Sequence, residues 1–255
     1  MRLRQIALVA EKLEPVVADL TDILGLEVCY RDPGVARFGL ENALFTLNGD
    51  FLEVLAPIEE NTAGGRYLER RGGNGGYMVI LQCPDAIVER ARITGLGIRS
   101  VFNIDNPGYM ATHFHPRDTG DILLSIDSVE PEADYTDQMC SWPPAGPDWK
   151  NAVRADAVTG MTGVEIQAPD PAGQAALWSR VLALPTVEIS GGEYIIQLDN
   201  AQIRFSPATD GRGTGVGAID LKVPDRSKIL EKARARGCDL SDNRIMICGT
   251  RMNLV

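Results

Sequence analysis

Tyr77-Met78-Val79-Ile80-Leu81-Gln82-Cys83-Pro84-Asp85, Val164-Glu165-Ile166-Gln167-Ala168-Pro169-Asp170 and Ile219-Asp220-Leu221-Lys222-Val223-Pro224-Asp225 are three versions of one phrase. Each is a short run of strand-forming residues ending in Pro-Asp. An Asp in that place caps a helix, because its carboxylate accepts hydrogen bonds from the N–H groups that a first helical turn leaves unpaired. An amphipathic stretch follows each time. After Asp85 come Ile87, Val88 and Ala91, with Gly95 as the stop. After Asp170 come Pro171 at the first helical position, then Leu177, Trp178, Val181 and Leu182. After Asp225 come Ile229, Leu230 and Ala233, with Gly237 as the stop. These are helical spacings with the expected Pro start and Gly terminators. The N-terminus repeats the plan without Pro-Asp: Ile6–Val9 is the strand, Leu13, Val16, Val17, Leu20, Ile23 and Leu24 form the stripe, and Gly25 ends it.

Each helix is followed by short β-like runs. In the first copy these are Glu27–Tyr30, Val35–Phe38, Ala43–Leu47 and Phe51–Leu55; in the third, Thr186–Ile189, Glu193–Leu198 and Gln202–Phe205; in the compressed fourth, Arg244–Cys248 and Arg251–Leu254. Strand, helix, then about three strands therefore recurs four times. The expected fold class is α+β: four βαβββ modules in two domains with concave mixed sheets and helices on the outer face. Pro131, Pro143, Pro144 and Pro147, with Glu130, Glu132 and Asp134, mark a linker. The expected domains are 1–130 and 156–255, two modules each, with 131–155 between them.

The composition narrows the function classes. A net charge of −10 with no basic stripe repels phosphate backbones, so nucleic acid is not expected as a partner. No apolar run approaches a membrane span, and the first ten residues are too short an apolar run for a signal peptide, so the expectation is a cytoplasmic protein with no membrane partner. Five cysteines without a Cys-x-x-Cys pair suit reduced thiols rather than a disulfide framework.

Paired strand–helix–three-strand modules resemble the vicinal oxygen chelate superfamily, which includes glyoxalase I, extradiol dioxygenases, methylmalonyl-CoA epimerase and bleomycin resistance proteins. The stretch His113-Phe114-His115-Pro116-Arg117-Asp118-Thr119-Gly120-Asp121-Ile122-Leu123-Leu124-Ser125-Ile126 resembles the end of the second module of methylmalonyl-CoA epimerases and related glyoxalase-like proteins. The resemblance implies one divalent metal per pair of modules, with ligands from the first and last strand of each. Those positions fall on Gln5, Glu53, Met78 and Ser125 in the first pair, and on Gly163, Arg204, Ala218 and Asn253 in the second. Only Glu53 is an ordinary ligand, with Gln5 a weak one. The second pair is expected to be metal-free, because a guanidinium repels a cation.

Strand alternation gives a second, independent reading. Leu52 and Val54 face the helices, so Glu53 should face the cleft; Ile122, Leu124 and Ile126 likewise leave Ser125 on the cleft side. Met110 and Phe114 take the helix side, which leaves Tyr109, His113 and His115 for the cleft. His113, His115 and Glu53 could hold Fe, Mn or Zn, or work without metal as acid and base. The bland alternatives are that His115 caps the turn at Pro116 and Glu53 pairs with Arg37. In the C-terminal half, Glu165, Asp220, Lys222 and Arg204 form either a polar pocket or a salt-bridged network filling a retired site. Gly64-Gly65 and Gly72-Gly73-Asn74-Gly75-Gly76 lack the order of a phosphate loop and read as a flexible loop or lid, with Arg66–Arg71 as a short helix ahead of it.

The expected function is proton-transfer chemistry on a small carbonyl-bearing or acidic metabolite: isomerisation, epimerisation or lyase-type elimination. Glu53 and His115 are the candidate acid and base; Gln5, Tyr30, Arg37, Met78, His113 and Ser125 are candidate substrate-binding residues. The expected partner is a small molecule, with one divalent metal or none, and modules of this type can also pair across a homodimer. The alternatives are a metal-free binding protein that sequesters a ligand and an extradiol-type dioxygenase. The latter would need a two-His, one-Glu site, and the C-terminal half has no His.

Overall fold

The computed structural model describes residues 1–129, 134–238, 240–241 and 243–255. Glu130, Pro131 and Glu132 of the expected linker lie outside the described residues. Module one comprises β1 (Arg2–Val9), α1 (Leu13–Leu24), β2 (Val28–Tyr30), β3 (Leu40–Leu47) and β4 (Asp50–Pro57). After α2 (Ala63–Arg71), module two comprises β5 (Gly75–Gln82), α3 (Ala86–Gly95), β6 (Ser100–Asn106), β7 (Tyr109–Phe114) and β8 (Leu123–Ser128). Module three comprises β9 (Gly160–Ala168), α4 (Pro171–Leu182), β10 (Thr186–Ile189), β11 (Glu193–Gln197) and β12 (Gln202–Pro207). Module four comprises β13 (Gly215–Lys222), α5 (Arg226–Ala235), β14 (Leu240–Ser241), β15 (Arg244–Ile247) and β16 (Thr250–Leu254).

The Pro-Asp phrases act as helix starts. The Asp85 carboxylate accepts from the Ile87 and Val88 N–H groups at 2.9 and 3.0 Å, Asp170 from Gly173 at 2.9 Å, and Asp225 from Lys228 at 3.0 Å. One expected strand is replaced. Val35–Phe38 belongs to a 3-10 turn over Pro33–Phe38, because Pro33 fixes φ at its start and the Asp32 carboxylate accepts from Gly34 N–H.

In every module the first strand pairs in parallel with the last: β1 with β4, β5 with β8, β9 with β12, and β13 with β16. First strands then pair antiparallel, β1 with β5 and β9 with β13, so each pair of modules makes one curved sheet. The two pairs join where Val216 of β13 meets Gly76 of β5. Glycine is required there: a Cβ on residue 76 would lie 2.5 Å from the Val216 Cβ. Helices α1, α3, α4 and α5 cover the outer face over a continuous apolar core that includes Ile6, Leu20, Phe45, Phe114, Trp178, Phe205 and Met252, whereas α2 packs Tyr67 and Leu68 into the cluster on the other face. Burial of this face is the main driving force for the fold. Among the described residues, no helix is long and apolar enough to cross a membrane.

Candidate active site

The concave face of the N-terminal pair carries its own cluster of buried side chains: Ala7, Leu44, Phe51, Met78, Ile80, with Tyr109 packed against it. A register shift in β1 between Leu3 and Gln5 turns Arg4 and Gln5 together toward this face. Glu53 lies here in β4, buried at 8% exposure. Gln5 Nε2 donates to Glu53 Oε2 at 2.9 Å, and Asn42 Nδ2 donates to Oε1 at 2.6 Å. Both amides are fixed in orientation by further bonds. Gln5 Oε1 accepts from Trp142 Nε1 at 2.8 Å, and Asn42 Oδ1 accepts from the Asp32 N–H at 2.8 Å. No cation partners Glu53 among the described residues. Burial therefore raises its proton affinity, against the opposing pull of Asn42 and Gln5.

Across the cleft, β8 presents a second carboxylate. Asp127 is 1% exposed, and its Oδ2 accepts from the Tyr109 hydroxyl at 2.5 Å while Ser125 donates to Oδ1. Burial lifts Asp127 to a pKa of about 7, with the Ser125 and Tyr109 bonds working in the other direction. Tyr109 is held well above the usual phenol range by burial, then by Asp127, with Glu53 adding its charge. The phenol thus lies within electrostatic reach of both carboxylates.

The segment after β8 covers this face. Trp142, 1% exposed, stacks on Phe51 at 6.2 Å and meets Tyr109 edge-on at 5.8 Å. Trp149 meets Phe51 edge-on at 5.0 Å. Arg4 lies over both Phe51 and Trp142, and its guanidinium donates to the carbonyls of Gln138 and Cys140 at 3.1 and 2.8 Å. Arg2 donates to the Thr136 carbonyl at 3.1 Å. Residues 134–155, read from the sequence as a linker, are therefore bound along the cleft.

A family profile described as a glyoxalase-like domain matches residues 6–182. The chain belongs to the glyoxalase-like domain family. This places it in the vicinal oxygen chelate superfamily, as the repeat pattern suggested. Among solved structures, this glyoxalase-like protein is similar to an Mn(II)-bound glyoxalase from Novosphingobium aromaticivorans, with 12% identity over 99% of this chain and 80% of that one and a TM-score of 0.67. It is also similar to methylmalonyl-CoA epimerase from Mycobacterium tuberculosis, with 20% identity over 51% of this chain and 88% of that one and a TM-score of 0.45. At 12% identity the likeness to the glyoxalase is one of fold. No curated protein matches the chain.

The structure revises part of the candidate site. His113, His115 and Glu53 do not form a metal triad, and among the described residues no three His, Cys, Asp or Glu side chains converge as a metal site requires. His115 lies beyond the end of β7, where its Nδ1 accepts the Arg117 N–H at 3.1 Å and caps the turn at Pro116. With Nδ1 accepting that bond, the neutral ring carries its proton on Nε2. His113 lies in β7 opposite Ser125, its ring 5.3 Å from that of Phe102. Burial, then the charge of Arg37, lowers its pKa to about 4, so it is a neutral imidazole near neutral pH. Arg37 does not pair with Glu53; it lies over the rings of Phe38 and Phe102 at 4.7 and 4.9 Å. Tyr30 packs against Gly146, where a Cβ would come within 2.6 Å of its ring.

The superfamily's metal positions do not fit a cation in this glyoxalase-like protein. Met78 offers only a thioether, and Ser125 spends its proton on Asp127. Gln5 gives its oxygen to Trp142 and its nitrogen to Glu53, while both Glu53 oxygens accept from amides. The C-terminal cleft is filled from within. Arg204 bonds Asp220 at 3.0 Å and Glu165 at 3.4 Å, Arg251 bonds Glu165, and Asn253 Nδ2 bonds Asp220 at 2.6 Å.

Sequence reasoning missed Asn42, Asp127 and Trp142. A signal existed for Asp127, which stands two residues beyond Ser125 on the same strand and so on the same face. Asn42 and Trp142 had none that spacing alone could supply.

Proposed function

We propose that the N-terminal cleft catalyses proton transfer at carbon next to a carbonyl, in an isomerase, epimerase or lyase-type reaction on a small metabolite. The observation that carries this reading is Glu53: a buried carboxylate without a cation, held by two amides that cannot turn away. A base needs such a position and a proton affinity closer to neutrality than a solvated carboxylate has. Asp127, neutral below about 7, can turn its proton onto the Tyr109 oxygen, which frees the Tyr109 hydroxyl to donate to the developing enolate oxygen. No step requires a metal. Substrate entry goes with displacement of Trp142 from Gln5, which frees the Gln5 amide oxygen for the ligand.

The test is NMR detection of deuterium entering 2-oxo acids, 2-hydroxy carbonyls and acyl thioesters from heavy water. Exchange by the native chain that is lost in Glu53→Gln supports the proposal; equal exchange by both removes Glu53 as the base.

A second reading, a metal-free binding protein, is favoured by one observation. Phe51, Tyr109, Trp142 and Trp149 line the cleft, as a site for a planar ligand would require. Binding of planar aromatic compounds without any C–H exchange across the panel would select it over the enzyme.

A further inference from the structure

A cavity of about 190 Å³ lies between α2 and the loop before β13, lined by Tyr67, Arg70, Arg71, Asp121, Arg212 and Thr214. Its lining carries three guanidiniums against one carboxylate, on a chain whose net charge is −10. Two of the arginines have a structural task. Arg71 Nη1 donates to the carbonyls of Arg212, Gly213 and Thr214 at 2.7, 3.0 and 3.1 Å. Arg212 donates to the carbonyls of Arg71, Gly73, Asn74 and Gly249. These bonds pin the loop to α2, but carbonyls carry no net charge and leave both cations uncompensated. Asp210, at 3.6 Å from Arg71 Nη2, and Asp121 in the lining offset them in part.

Two further features have no structural task. Arg71 Nε is buried and unpartnered. Arg70 lies over the Tyr67 ring at 5.5 Å, and among the described residues its guanidinium meets no hydrogen-bond acceptor. Burial, then the like charge of Arg212, destabilises the Arg71 cation, with Arg251 adding a further like charge. An anion in the cavity would offset that like charge and meet the Arg70 guanidinium, whose donors no protein acceptor takes up among the described residues.

We propose that this cavity binds a small oxyanion, a phosphate or carboxylate group, gripped by Arg70 and Thr214 in the field of Arg71 and Arg212. The site rests on no part of the acid–base reading of the cleft.

The experiment is calorimetric titration of the full chain with inorganic phosphate, and separately with citrate, at low and matched ionic strength against chloride. Saturable binding at millimolar or lower concentration is expected, weakened about tenfold in Arg70→Ala, the loss of one charge-assisted contact. Asp121→Asn should tighten binding. Asn tolerates the left-handed backbone at that position, φ 63°, and its amide removes the opposing charge. Preference between the two titrants names the group. No saturable heat with either anion, or equal binding by the native chain and Arg70→Ala, overturns the proposal. If Arg70→Ala fails to fold, Asp121→Asn with unchanged affinity overturns it instead.

Discussion

Replacing Asp127 by Asn should stabilise the protein, and only above a definite pH. Asp127 is protonated in the folded chain up to about 7, against a value of 3.8 for the free side chain. Below about 4 both states carry the proton and the group is neutral toward folding. Between about 4 and about 7 the unfolded chain gives up its proton and the folded chain keeps it, so stability falls as pH rises. The gap of about 3 units, at about 1.4 kcal/mol each, sets the loss at about 4 kcal/mol, complete above about pH 7. The amide of the Asp127→Asn variant does not titrate and would not suffer it. Its partners are hydroxyls on Tyr109 and Ser125, which can rotate to suit an amide: one donates to Oδ1 and the other accepts from Nδ2. Urea unfolding of both proteins from about pH 4 to about pH 8 reads the effect. The other buried carboxylates, Glu53 and Asp50, are common to both proteins and cancel in the difference. A stability difference that stays constant across that range would refute the buried, neutral Asp127 and the acid role built on it.

If Asp127 works as the neutral donor, kcat/KM for the exchange reaction should decline above about pH 7, and Asp127→Asn should lack that limb in the same pH–rate profile. Trp142→Ala should lower stability by about 3–5 kcal/mol in urea unfolding, because the ring is buried between Phe51 and Tyr109; a loss under about 1 kcal/mol would show that the segment is not anchored there. Arg204→Ala leaves Asp220 without its cation and Glu165 with Arg251 alone, and should cost about 2–4 kcal/mol, with no change in exchange activity; lost exchange at unchanged stability would make the C-terminal cleft part of the site.

The fold was legible because it is written in local signals. Asp85, Asp170 and Asp225 cap helices by contacts two or three residues away, and the periodicity of each helix follows at once. The strand face of Glu53 was legible for the same reason, since alternation is a local rule. The site itself was not. His115 shares a two-residue spacing with His113, but Pro116 ends the strand and turns the imidazole onto its own backbone. The partners of Glu53 lie 48 residues away at Gln5 and 11 away at Asn42, and Trp142 is 137 residues from Gln5. The Pro-rich composition of residues 131–155 described a chain without regular structure. It did not reveal that Arg2 and Arg4 hold the backbone of that segment across the cleft.

Glu53 and Asp127 are both buried carboxylates, yet the same isosteric change should act on them differently at low pH. At about pH 4, with the raised carboxyl neutral, Glu53 still accepts from both amides: its carbonyl oxygen takes one donor and its hydroxyl oxygen the other, with the proton turned aside. A Gln at this position cannot do so, because its NH₂ faces one of the two donors and nitrogen accepts nothing there. Neither neighbour can flip to relieve the clash. A turned Gln5 would set its NH₂ against the Trp142 Nε1–H, and a turned Asn42 would set its own against the Asp32 N–H. One buried donor is left unpaired, at a cost of about 1–3 kcal/mol. Glu53→Gln should therefore be less stable than the native chain at about pH 4, where Asp127→Asn lies close to it. Equal stability of Glu53→Gln and the native chain in urea at that pH would mean that the amides are free to turn. The fixed cradle, and with it the case for Glu53 as a poised base, would then fail.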